Sequence, residues 1–174
     1  MKKGLLVLIL AAILTTGTAF ANDPRPDGFG IGVVAGGVGV WESGAGFGWN
    51  YGLALHLADI YWGINLRVQS NWVYIGATGD FLTLLGGNIT GPLGWYIDAG
   101  LYGAIGLWNP NVGDGGVSFD IGARLPIGLN LNFQVVDIWL AFVPRLGVGI
   151  RTFGDDTLFL GGGWGPEFGF RIWL

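Results

Sequence analysis

Cysteine is absent from this 174-residue chain, so no disulfide framework holds it and no thiolate is available to a metal or a nucleophilic mechanism. Histidine occurs once, at His56, which leaves a transition-metal site almost without ligands. Lysine occurs only at Lys2 and Lys3, and the formal net charge is −4. A chain of that sign carries no electrostatic footprint for nucleic acid. Beyond the N-terminal stretch, no apolar run approaches the roughly 20 residues that a membrane-spanning helix needs. The sequence also lacks a G-x-S-x-G elbow and the lysine of a phosphate-binding loop, so runs such as Gly161-Gly162-Gly163 do not read as a nucleotide site.

What is present suits no ordinary soluble domain: 51% hydrophobic residues, 11% charged, 35 glycines and nine tryptophans. The N-terminus reads as a secretory signal. Met1-Lys2-Lys3 is basic, Gly4 to Leu14 is apolar but too short to span a bilayer, and Ala19-Phe20-Ala21 is a small-x-small cleavage site. Residues 1–21 are therefore expected to be removed and residues 22–174 to form one domain.

From residue 158 onward, large apolar residues keep to even positions (Leu158, Leu160, Trp164, Phe168, Phe170, Ile172, Leu174), while glycines, Glu167 and Arg171 take odd ones. Side chains of a strand alternate between its faces, so one face is greasy and the other small and ionic. The same period marks about eight strands, near residues 28–41, 47–57, 60–69, 72–85, 93–108, 117–129, 136–151 and 158–174. In the first, the phase of Ile31 and Val33 passes to Val38 and Val40, which predicts a bulge at Gly36-Gly37. Residues 86–92 read as a turn-rich connection. Several strands are longer than the soluble average of about 5 to 6 residues and suit a tilted membrane wall. Trp41, Trp62, Trp72, Trp95, Trp108 and Trp173 stand near strand ends, as aromatic girdles would. The pattern predicts an all-β, eight-stranded antiparallel up-and-down transmembrane β-barrel, with Phe47, Trp49, Tyr51, Leu53 and Leu55 facing lipid. The competing architecture, an exported soluble β-domain with a tryptophan core, would have to expose the glycine-rich, nearly charge-free face to water.

On these residues the chain resembles the small eight-stranded outer-membrane barrels, the class of the OmpA membrane domain and OmpX. Glu167, Gly169, Ile172 and Leu174 match the C-terminal assembly signal of such barrels, although many members end in Phe or Trp rather than Leu. The segments Arg124 to Leu129 and Val143-Pro144 are also similar to a family of small OmpA-like barrels from spirochaetes. The resemblance implies export to the bacterial outer membrane, with membrane lipids and the outer-membrane assembly machinery as partners, and no cofactor.

With the apolar face outward, the lumen collects Arg67, Asp98, Asp120, Arg124, Arg145, Glu167 and Arg171. Eight strands enclose an interior just wide enough to be filled by side chains, and charges buried there must be paired. Hairpin arithmetic pairs Asp98 with Arg124 and Asp120 with Arg145, joined by Glu167 or Arg171. Enzymatic function is not expected. Acyl chemistry would need Ser, His and an acid together, whereas His56 falls at the opposite rim from Ser70 and Ser118, and Ser43 belongs to a loop. The adjacent Asp155-Asp156 reads as a solvated loop tip rather than a cation site. Two functions follow: a structural or surface-interaction barrel with a charge-paired lumen, or a narrow-conductance or lipid- or small-ligand-binding barrel. Short outer connections at 42–46, 70–71, 109–116 and 151–157 argue against a large adhesive surface.

Overall fold

The computed structural model describes residues 25, 27–40, 47–69, 72–108, 116–152 and 158–174. The expected signal segment and most of the four outer connections lie outside the described residues.

Among the described residues there are eleven strand segments. They are β1 (Gly30–Val40), β2 (Phe47–Leu57), β3 (Ile60–Gln69), β4 (Trp72–Thr90), β5 (Leu93–Trp108), β6 (Val117–Arg124), β7 (Ile127–Asn132), β8 (Val136–Phe142), β9 (Arg145–Arg151), β10 (Leu158–Trp164) and β11 (Pro166–Trp173). All pairings are antiparallel and link neighbours round a ring, so that the segments make eight staves. The sixth stave is β6 with β7, the seventh β9 with β8, and the eighth β10 with β11. The last stave closes on the first, with Gly30 opposite Trp173, Gly36 opposite Glu167 and Gly39 opposite Trp164. Closure satisfies the ladder groups of both outer strands and leaves no sheet edge.

The wall alternates as the sequence requires. Trp49, Tyr51, Leu53, Ile64, Ile121 and Leu160 are among many large apolar residues exposed on the outside. Leu55 lies on the same face, half-buried between its cross-strand neighbours Ile31 and Trp62. An exposed apolar coat this extensive is an error in a soluble protein and a requirement in hydrocarbon.

Each turn at one end of the barrel, called here the terminal end because the first stave begins and the last stave ends there, has its own device. Ala58 and Asp59 both take positive φ (53° and 59°), as a two-residue hairpin turn demands. Gly91 has φ 51°. Gln134 has φ 68°, and its N–H donates to Asn132 Oδ1 at 2.8 Å.

Several expectations are corrected. There is no bulge at Gly36-Gly37: β1 keeps one register against β2 from Gly30 to Gly39, and Val38 is an apolar residue of the lumen. The fourth strand does not end at residue 85 but continues to Thr90. Its glycines read as a turn, yet they pair with β5 by absorbing three register shifts, the first between Asp80 and Leu82. The sixth, seventh and eighth staves are each interrupted, at Leu125-Pro126, Val143-Pro144 and Gly165. Proline lacks the N–H a ladder needs, and substitute bonds span the gaps. The amides of Asp98, Leu125 and Val143 donate to Pro126 O, Pro144 O and Gly165 O at 2.9, 3.0 and 2.9 Å. Register is the same on both sides of each interruption, so the three form a crease across the wall rather than a slip. Trp173 is no girdle residue: it turns inward, 7% exposed.

Candidate functional site

Among the described residues the lumen is where charge gathers, and the crease organises its centre. Arg124 ends β6, Arg145 begins β9 and Glu167 is the second residue of β11, so the interruptions bring three ionic residues to one level. Arg124 donates through Nη2 to Glu167 Oε1 and Oε2 at 3.0 and 3.2 Å, and its Nε lies 3.0 Å from Asp80 Oδ1. Arg145 Nη2 lies 3.6 Å from Glu167 Oε2. Asp80 and Arg124 belong to staves that do not touch. Gly100 stands between them, opposite both, and its missing side chain is the space in which they meet. A Cβ at Gly100 would fall 2.2 Å from Asp80 Oδ1.

Nearer the terminal end, Asp98 is paired with Arg25, a residue ahead of the first strand, at 2.8 Å. Arg171 pairs with Asp137 at 3.3 Å and sits over the rings of Tyr61, Trp139 and Trp173. His56 is buried with its Nδ1 against Gly28 O, its ring between Tyr61 and Trp173. At the far end, Asp120 accepts from Tyr102 OH at 3.1 Å. Arg67 stacks on Tyr74 with its guanidinium 3.8 Å from the ring centre and has no ion pair among the described residues. Ser118 is buried at this end, the length of the barrel from His56.

All seven expected lumen residues therefore point inward, but the expected pairs do not form. Asp98 and Arg124 are on one face, and Arg124 stands opposite Gly100 as the hairpin arithmetic requires. Arg25 instead takes Asp98, and Asp80 with Glu167 takes Arg124. For Asp120 and Arg145 the register itself differs. The turn centres between Gln134 and Val135, later in the chain than the expected Asp120–Arg145 pairing requires, so Asp120 faces Gly149 and Arg145 faces Arg124. Of the C-terminal signal residues, Glu167 and Gly169 face the lumen, while Ile172 and Leu174 face outward.

Sequence reasoning missed Arg25, Asp80 and Asp137. Asp137 was within reach, since it shares the parity of the inward Trp139. Arg25 precedes any periodic segment, and Asp80 lies where β4 begins to lose its period.

No family model matches the chain, and no curated protein matches it. Among solved structures, Neisserial surface protein A superposes with a TM-score of 0.54, at 16% identity, covering 85% of this chain and 98% of that one. The fold is that of a small outer-membrane barrel. At that identity the likeness is one of architecture. It extends over nearly all of the neighbour, so a barrel of this type accounts for the whole set of staves rather than for part of them.

Proposed function

We propose that residues 1–21 export the chain, that residues 22–174 are a barrel of the bacterial outer membrane, and that it acts as a structural or surface-interaction protein with a sealed, charge-paired lumen. The fold likeness and the apolar outer coat support the location. The lumen supports the role: two spaces left between its side chains measure about 30 Å3 each, room for a water or two. One is lined by Arg25, Asp80, Asp98, Arg124, Glu167 and Arg171, whose ion pairs stand in the path of a hydrated ion. Glu167, Gly169, Ile172 and Leu174 support delivery through the outer-membrane assembly machinery, as in OmpA- and OmpX-like barrels. Planar-bilayer recording on the refolded barrel tests the sealed lumen: occasional small flickers at most are expected, and large, stable openings of a monomer would overturn it.

A second reading, a barrel that handles lipid, has one observation in its favour. Outward Ala77 and Gly103 are cross-strand neighbours, and they leave an apolar recess of about 670 Å3 bounded by Ile64, Ile75, Ile105 and Ile121. Mass spectrometry of the barrel released from detergent distinguishes a retained lipid, lost on Ala77→Phe, from a wall that bulk lipid merely wets.

A further inference from the structure

Arg25 is held differently from the other paired arginines of the lumen. Arg124, Arg145 and Arg171 are carried in wall strands, whereas Arg25 lies ahead of Gly30, the first residue of the ladder. Its side chain is nevertheless only 4% exposed. Nη1 donates to Asp98 Oδ2 at 2.8 Å and Nη2 to Asp98 Oδ1 at 3.0 Å, the two-pronged geometry in which a guanidinium fits a carboxylate. Nη2 also reaches Thr83 Oγ1 at 3.1 Å. The guanidinium plane lies 3.8 Å from the ring centre of Tyr61 and 4.2 Å from that of Tyr96. Carboxylate fork, hydroxyl acceptor and two aromatic faces come from β3, β4 and β5. The wall alone builds them.

We propose that Tyr61, Thr83, Tyr96 and Asp98 form a guanidinium-recognition socket at the terminal end of the lumen, and that Arg25 is its ligand in cis, a latch that another alkylguanidinium can replace. The chemistry selects guanidinium over ammonium. A lysine can offer Asp98 only a point charge, and it lacks the flat delocalised group that stacks on tyrosine. An empty socket leaves Asp98 buried and uncompensated, so it binds whatever matches the fork. The proposal stands on the barrel geometry and not on where the barrel resides.

The test uses the full mature chain carrying Arg25→Ala, refolded in detergent, with urea unfolding followed by tryptophan fluorescence. The variant is expected to unfold at lower urea than the natural chain. Millimolar methylguanidinium should then raise its midpoint saturably toward the natural value, as a ligand that binds only the folded state must. Methylammonium at equal ionic strength should not, the natural chain should respond to neither, and Arg25→Lys should recover only part of the loss. Adding Asp98→Asn to Arg25→Ala should abolish the rescue. If Arg25→Ala does not refold alone, refolding yield against methylguanidinium replaces the midpoint as the readout, and a saturable gain supports the socket. The proposal is overturned by an Arg25→Ala barrel as stable as the natural one, by no gain with methylguanidinium in either readout, by equal rescue with methylammonium, or by rescue that survives Asp98→Asn.

Discussion

Arg124 compensates two buried carboxylates, Asp80 and Glu167, and its side chain is 1% exposed. Arg124→Ala is therefore expected to destabilise the barrel by about 3 to 5 kcal/mol, because both acids would remain in the lumen without it. Asp120 accepts a phenol hydrogen bond. Asp120→Ala should cost less, about 1.5 to 3 kcal/mol, the range of a single hydrogen bond to a charged group. Urea midpoints of the two variants check the order, and a larger loss for Asp120→Ala would show that the far-end charges, not the crease, carry the network. Parity alone made Arg124, Glu167 and Asp120 legible as inward, since one face of each stave must be lipid and the other lumen. Partnership was not legible. It depended on where the turn at Gln134 is centred, on a glycine that lets staves four and six communicate, and on an arginine outside every strand.

At the scale of the strand, inner-face glycine carries the curvature. Gly122 and Gly147 are cross-strand neighbours, and a Cβ on Gly122 would fall 2.3 Å from Leu146 O and 2.5 Å from Gly147 Cα. Both are main-chain atoms that cannot swing aside. Gly122→Val is expected to destabilise by about 1 to 3 kcal/mol or more, the usual range for overpacking. Ala123→Val, one residue on and outward, should stay within about 0.5 kcal/mol of the natural chain. The folded fraction seen as heat-dependent gel mobility measures both, and equal losses would contradict the assigned faces. Staves two, three and five were legible nearly to the residue because their period runs unbroken. The fourth was cut short because Gly86-Gly87-Asn88 has the composition of a turn, and only pairing with β5 shows it to be a wall that shifts register. Pro126 and Pro144 were in plain view, but local chemistry says that a proline interrupts a ladder and not that its neighbours will interrupt theirs beside it.

For the whole molecule, the narrow lumen follows from the closed ring, since eight staves enclose an interior just wide enough for side chains to fill. Closure also places the start of the first stave beside the end of the last: Leu174 N–H donates to Phe29 O at 2.9 Å, next to Gly30 opposite Trp173. A ring has no first member, so the order in which its staves are synthesised is a property of the gene and not of the object. A flexible linker from residue 174 to residue 22, with new termini opened between Ala58 and Asp59, keeps every pairing in the wall, and neighbouring wall ends are the condition under which such permutation is tolerated. That permutant is expected to refold in detergent with the natural mobility shift. On the proposed assembly signal, the permutant should fail to reach the membrane in cells, because Glu167, Gly169, Ile172 and Leu174 would no longer stand at the end of the chain. Comparing refolding yield with cellular membrane content would thus separate what the barrel needs in order to exist from what it needs in order to be delivered.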